Sequence, residues 1–157
     1  MDTCQLRNCV KQDDIMSENF LGVFPRDRVP RYIGDGSLIA NTDKSTEEGT
    51  HWVTMYKENN ICEFFDSYGR PPFKNKFTGK NFKHNKIKLQ SIYSDVCGQY
   101  CLYFLYHRSR GITLDQIVET LKVDGDVIVK NFIQQNFDIC TKGVGLCCTS
   151  LMGRENL

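Results

Sequence analysis

Two cysteines four residues apart open an apolar stretch, "SDVCGQYCLYFLYH" from Ser94 to His107. Cys97 and Cys101 admit three chemical readings: metal ligands, packing residues, or a nucleophile and its neighbour. A thiol attacks well only as a thiolate, and a free cysteine is mostly protonated at neutral pH. Two things lower its pKa, the N-terminus of a helix and a nearby imidazole. Cys97 stands where the pattern starts a helix, and the glycine after it, Gly98, would let a substrate backbone approach. His51, at the start of a strand, supplies a candidate base. Asp66, on the neighbouring strand of the same hairpin, supplies a carboxylate to fix the imidazole tautomer. The oxyanion formed on a carbonyl needs a donor. The Cys97 N–H is one, and Gln90, seven residues upstream at the end of "IKLQ", is a neutral side-chain donor.

The elements that must position these groups are legible in outline. Residues 3–19 read as one or two short helices, and 20–36 as an irregular connector punctuated by Pro25, Pro30, Gly34 and Gly36. "SLIANT" at 37–42 reads as a short buried strand. His51, Val53 and Met55 alternate with Trp52, Thr54 and Tyr56. The run breaks at Glu58-Asn59-Asn60 and resumes from Ile61 to Asp66, which predicts a β-hairpin with Phe64 and Asp66 on one face. "IKLQ" at 87–90 reads as another strand. A helix follows from Cys97, its start capped by Ser94 or Asp95 and its end marked by Gly111. "TLDQIVETL" and "DVIVKNFIQQNF" predict two more helices, and the Gly-rich tail, about 140–157, is expected to be loosely ordered. Helix, then strands, then helices is an α+β order rather than the alternation of a parallel α/β sheet.

The totals set bounds. A chain of 157 residues, 40% hydrophobic and 25% charged, fits one domain over 1–157 with its own core. A net charge of +1 gives no global attraction to nucleic acid. The start, "MDTCQLRNCVKQDD", lacks the apolar core of a signal peptide, and no stretch has the apolar length of a membrane span. The expectation is therefore a protein that is not secreted and not bound to a membrane. In a reducing compartment most of the eight cysteines are expected as free thiols that pack as small hydrophobes. One local bias departs from the even balance. Ser67 to Ser94 contains no Asp or Glu and carries Arg70, Lys74, Lys76, Lys80, Lys83, Lys86 and Lys88, a candidate phosphate-contacting segment or a solvated loop. Zinc on Cys97, Cys101 and His107 fits poorly, since Cys101 and His107 diverge around one helix and no second pair completes a tetrahedron. His84 has no acid partner in sequence, and His107 ends the helix where a cation suits its dipole.

"GTHWV" at 49–53, "FFDSYG" at 64–69, Gln90 and "DVCGQYC" at 95–101 together resemble the adenovirus-type maturation proteases (adenain), of the SUMO-specific protease superfamily, which also occur in adenovirus-like viruses and Polintons. "FLGVFPRD", "IANTD" and the late helix "NFIQQNF" extend the colinear likeness to about 120 residues, Phe20 to Phe137. The resemblance implies a papain-like, ubiquitin-like-protease fold: a central mixed sheet flanked by helices, with the nucleophile at a helix N-terminus. It implies Cys97 as nucleophile, His51 as general base, Asp66 as orienter where adenovirus enzymes often have Glu, and Gln90 with the Cys97 N–H as oxyanion hole. Trp52 would pack near the imidazole and, with Gly98, border a narrow groove for glycine-containing sites in viral precursor proteins. It further implies no cofactor for the chemistry itself, with viral DNA and an activating peptide as partners, and a location in the virion and the host nucleus or cytoplasm. Two features depart from the pattern. The Asp66–Cys97 interval is shorter than in adenain. The stretch "TGKNFKHNKIKLQ" has no cysteine, so an activating peptide would not be disulfide-linked near residue 79. Two alternatives stay open: a deubiquitinase or SUMO-type isopeptidase on the same fold, and an inactive DNA-binding or capsid-associated module.

Overall fold

Asn59 and Asn60 both take left-handed backbone conformations, φ 51° and 62°, and so close a two-residue hairpin between β3 (Trp52–Glu58) and β4 (Ile61–Phe65). The computed structural model, which describes residues 1–32 and 34–139, builds a five-stranded mixed sheet around this hairpin. The strand order is β1 (Phe20–Phe24), β2 (Gly36–Asn41), β3, β4 and β5 (Phe82–His84). The central pairings are antiparallel and the two outer ones parallel. Helices α1 (Thr3–Lys11), α2 (Asp14–Ser17), α3 (Cys97–Ser109), α4 (Leu114–Leu121) and α5 (Gly125–Asn136) flank the sheet. The architecture is α+β, with a central mixed sheet.

Alternation along β3 and β4 divides the core. Val53, Met55, Cys62 and Phe64 join Leu38, Ala40 and Phe77 on one face. On the other, Ile39 meets α1 and α3, and Phe65 stacks flat on Phe104 of α3 with ring centroids 4.6 Å apart. That stack seats the helix against the sheet, and truncating such a buried aromatic costs about 3–5 kcal/mol. Helix α4 starts in a reciprocal capping box between Thr113 and Gln116, and Leu114, Ile117, Val118 and Leu121 form its inward stripe.

Three expectations are corrected. Residues 20–24 are an edge strand, not part of an irregular connector. Gly22, at φ 135°, accommodates a register shift between Phe20 and Val23 that hides the strand's period. Residues 87–90 form no strand. The N–H groups of Leu89 and Gln90 both donate to one acceptor, the Ser67 carbonyl, and Phe82–His84 takes the place beside β4 instead. Helix α3 is not capped by Ser94 or Asp95: its N-cap is Val96, with no side-chain cap, while the Ser94 hydroxyl donates to Ser91 O. The expected loose tail and Cys140, Cys147 and Cys148 lie outside the described residues. Cys9, Cys62, Cys97 and Cys101 are buried with free thiols. No described helix is long and apolar enough to cross a membrane.

Candidate active site

The β3–β4 register pairs Thr54 with Phe65. Continued past the end of the ladder, it sets Val53 against Asp66 and His51 against Tyr68, so His51, Asp66 and Tyr68 share one side. The contacts agree with that placement. His51 Nε2–H donates to Asp66 Oδ1 at 2.6 Å, and Tyr68 stacks on the imidazole with centroids 4.7 Å apart. Both His51 and Asp66 are buried, at 5% and 2% exposure. The same Asp66 oxygen accepts the Tyr68 backbone N–H at 2.8 Å, and a second buried side chain grips the acid from behind. Asn85 accepts the Asp66 N–H at 2.9 Å and donates to the Asp66 carbonyl at 2.5 Å.

Because Nε2 is committed to Asp66, the ring nitrogen left for Cys97 is Nδ1. His51 and the backbone N–H of Trp52 both act on the Cys97 sulfur electrostatically. Cys97 opens α3, and the helix's first-turn N–H groups have no side-chain cap competing for them. Burial pushes the Cys97 thiol up, but His51 and the Trp52 N–H outweigh it and hold the thiol below its ordinary 9.0. Burial likewise opposes protonation of His51, yet Asp66 and the Cys97 sulfur raise it from 6.5 to about 9. Opposite shifts on touching partners favour a thiolate–imidazolium pair at neutral pH. Cys101, one turn on, has no such partner, and burial drives its thiol far up.

Gln90 is nearly as buried, at 2% exposure. Its Oε1 accepts from the Ser67 hydroxyl at 2.6 Å, and its Nε2 donates to Ser94 O at 2.9 Å. Ser67 in turn follows Asp66, so one short turn reaches both His51 and Gln90. Gly69 closes that turn at φ 70°, its N–H donating to Asp66 O at 2.8 Å. A Cβ there would lie 2.8 Å from the Ile87 backbone, so only glycine lets the segment leading to Gln90 pass so close.

The structure thus brings Cys97, His51, Asp66 and Gln90 into one corner, and it changes other expectations. The ring on the imidazole is Tyr68, not Trp52, whose indole N–H donates to Met1 O at 2.9 Å. The space left by the missing Cβ of Gly98 is not open to a substrate backbone. A Cβ there would meet Met1 Cβ at 3.0 Å and Leu6 Cδ2 at 3.4 Å, because the start of α1 packs over it. His84 Nδ1 lies 2.9 Å from Asn85 O. His107 Nδ1 lies 2.9 Å from Tyr103 O among aromatic rings. Among the described residues no group of three or more His, Cys, Asp or Glu side chains could hold a metal. Arg70, Lys74, Lys76, Lys80, Lys83, Lys86 and Lys88 are all exposed, and none forms an ion pair with a described residue. Arg70 and Lys88 lie over the Tyr68 ring at the site's rim. Lys83 and Lys86 line a separate cavity of about 760 Å³. The sequence reading missed Ser67, Tyr68 and Asn85. Ser67 and Tyr68 sit inside the quoted "FFDSYG", where direct attachment to Asp66 was the available signal. Asn85 offered none beyond being one more polar residue in a basic stretch.

Fold comparison bears on the architecture that carries these residues. The chain has the α+β fold of a solved viral protease. The ASFV pS273R protease aligns over 88% of this chain and 69% of its own at 16% identity, with a TM-score of 0.57. A selenomethionine crystal form of that protease aligns over 66% of this chain at 22% identity and a TM-score of 0.48, and there the chain spans 45% of the neighbour's length. The central domain of Lpg1148 from Legionella pneumophila aligns over 74% of this chain and 84% of its own at 14% identity, TM-score 0.43. No family model and no curated protein matches the sequence.

Proposed function

We propose that this chain is a cysteine endopeptidase of the adenovirus-type maturation class, acting on viral precursor proteins at glycine-containing sites. The observation that carries the reading is the buried His51 ring, held by Asp66 on one nitrogen at 2.6 Å, acting on a Cys97 sulfur that opens a helix with no side-chain cap. The Cys97 thiolate attacks the scissile carbonyl carbon, and the carbonyl π electrons move to oxygen. The Cys97 N–H and a Gln90 Nε2–H donate to that oxyanion. His51, protonated on Nδ1, gives its proton to the leaving amine as the C–N bond breaks, leaving an acyl-enzyme. His51 then takes a proton from water, which attacks the thioester and releases the thiolate. Asp66 keeps the imidazole upright through both steps. No metal or organic cofactor is needed for these steps.

Glycine preference is supported by crowding. Cys97 is 8% exposed, Met1 lies against Gly98, and Tyr68 covers the imidazole. A substrate residue without a side chain reaches the sulfur most easily. A cavity of about 430 Å³, walled by Met1, Arg7, Phe24, Asp43, Glu48 and Trp52, reaches the chain neighbour of His51 and the residue packed on Gly98, and has room for the polypeptide on one side of the scissile bond. The exposed cations from Arg70 to Lys88 support viral DNA as a second, salt-sensitive partner, and an activating peptide would not be disulfide-linked near residue 79, where the sequence has no cysteine. The setting is the virion and the infected cell.

The test is cleavage of a Gly-containing precursor peptide by wild type and by Cys97→Ala. Loss of all cleavage in the variant is the expected result, and retained cleavage ends the proposal. Labelling of Cys97 by a ubiquitin or SUMO C-terminal probe would move the assignment to an isopeptidase. Polyanion binding without any cleavage by the wild type would move it to an inactive module.

A further inference from the structure

The carboxamide of Gln90 is held in one sense from both ends. Nε2 donates to Ser94 O at 2.9 Å while Oε1 accepts the Ser67 hydroxyl at 2.6 Å. Turning the amide over would set its oxygen against the Ser94 carbonyl, two acceptors with no proton between them. Water does not substitute for either partner easily, because Ser67 and Gln90 are 1% and 2% exposed. Ser67 also accepts, through its backbone carbonyl, the N–H groups of Leu89 and Gln90 at 2.8 and 3.0 Å. Nε2 carries two hydrogens. Ser94 takes one, and no other described residue takes the second.

The chain neighbours of Ser67 point the other way, toward the base. Asp66 binds His51 Nε2, and Tyr68 stacks on the same ring. One tripeptide therefore touches both halves of the machinery. We infer that Ser67 is a positioning residue for the oxyanion hole: its hydroxyl fixes the sense of the Gln90 carboxamide so that the second N–H faces the tetrahedral intermediate. By its place between Asp66 and Tyr68 it also ties that donor to the turn that orients the base. The inference rests on Cys97 being the nucleophile, and two small electrophiles separate the two claims.

Iodoacetamide is displaced at a methylene carbon: the sulfur–carbon bond forms, iodide leaves, and no charge develops on oxygen. N-acetylglycine p-nitrophenyl ester is attacked at its carbonyl: an oxyanion forms and p-nitrophenolate leaves. In Ser67→Ala the rate of Cys97 alkylation should stay within about twofold of wild type. The p-nitrophenolate burst should slow about tenfold, less than the roughly hundredfold typical of deleting a donor outright. Ser67→Thr, which keeps the hydroxyl, should recover most of the burst rate. In a Gln90→Ala background Ser67→Ala should add nothing, since its effect runs through Gln90. Equal falls in both rates would show a merely structural role and overturn the inference. So would an unchanged burst, or effects that multiply with Gln90→Ala. Slow alkylation of Cys97 in the wild type would instead sink the protease reading, and this inference with it.

Discussion

His51 and His107 are both screened by aromatic rings, His107 within the cysteine-bearing helix α3 and His51 across from its start, yet their protons behave oppositely. At His107 burial favours the neutral ring. Its neutral partner, the Tyr103 carbonyl, does not compensate, and Arg110 adds a like charge, so its pKa falls below 6.5. At His51 burial acts in the same direction but a carboxylate and a thiol touch the ring, and the pKa rises to about 9. The cysteines repeat the contrast one turn apart: Cys97 is lowered by His51 and a backbone N–H, whereas Cys101 is raised by burial. Desolvation is common to all four groups; what separates a reactive pair from an inert one is which atoms each group touches.

The largest test of that contrast is removal of each imidazole. His51→Ala should lower kcat by about 10³-fold or more, as loss of a general acid–base group does. His107→Ala should leave kcat within about twofold and instead lower the melting temperature, because it opens a gap among Tyr103, Tyr106 and Phe132. Equal kinetic losses would break the comparison.

Asp66→Asn should come next, with a fall of about 10²-fold in kcat. The pH profile sharpens it. Peptide cleavage by the wild type should decline on the alkaline side near pH 9, where His51 loses the proton that the proposed mechanism passes to the leaving amine. Without the carboxylate that limb should move toward 6.5. The raised value also bears on stability. His51 holds its proton more tightly folded than unfolded, so its stabilising contribution is complete below about pH 6.5 and lost as pH climbs through about 9. Thermal melts at pH 6 and pH 9.5 should show the wild type losing more than Asp66→Asn over that interval.

A smaller, cleaner readout is selectivity. Brief iodoacetamide treatment at pH 6.5 should modify Cys97 and spare Cys9, Cys62 and Cys101, since burial pushes Cys9 and Cys62 to about 11 and Cys101 well above its ordinary 9.0. Peptide mass mapping decides it, and labelling of Cys101 at a rate comparable to Cys97 would contradict the assigned environments.

Much of this corner was readable in the sequence because it rests on short-range patterns. Alternation from His51 to Asp66 with two asparagines between predicts the hairpin, and the hairpin alone makes His51 and Asp66 neighbours. Helical spacing from Tyr100 to Leu105 predicts α3 and so puts Cys97 at its tip. Where the reading failed, the deciding interaction was distant or the pattern locally broken. Gly22 interrupts the period of β1. Phe82–His84 is too short to show any period, and "IKLQ" looks apolar because Leu89 packs inward while its backbone serves Ser67 rather than a ladder. Gly98 looked open because nothing in sequence brings Met1 and Leu6 across from α1. Asn85 is specified only by the Asp66 backbone it embraces, across 19 residues of chain.

Val96 is where those lessons meet a practical choice. A serine or aspartate at that position would supply the missing N-cap, a change that ordinarily gains about 1 kcal/mol. Here the added oxygen would compete for the same amide protons that the sulfur anion and the carbonyl oxygen draw upon, and an aspartate would add a like charge beside the thiolate. Attempts to harden this protein against heat should therefore leave that one helix end unimproved, since the variant that melts highest there would be the one that cuts least.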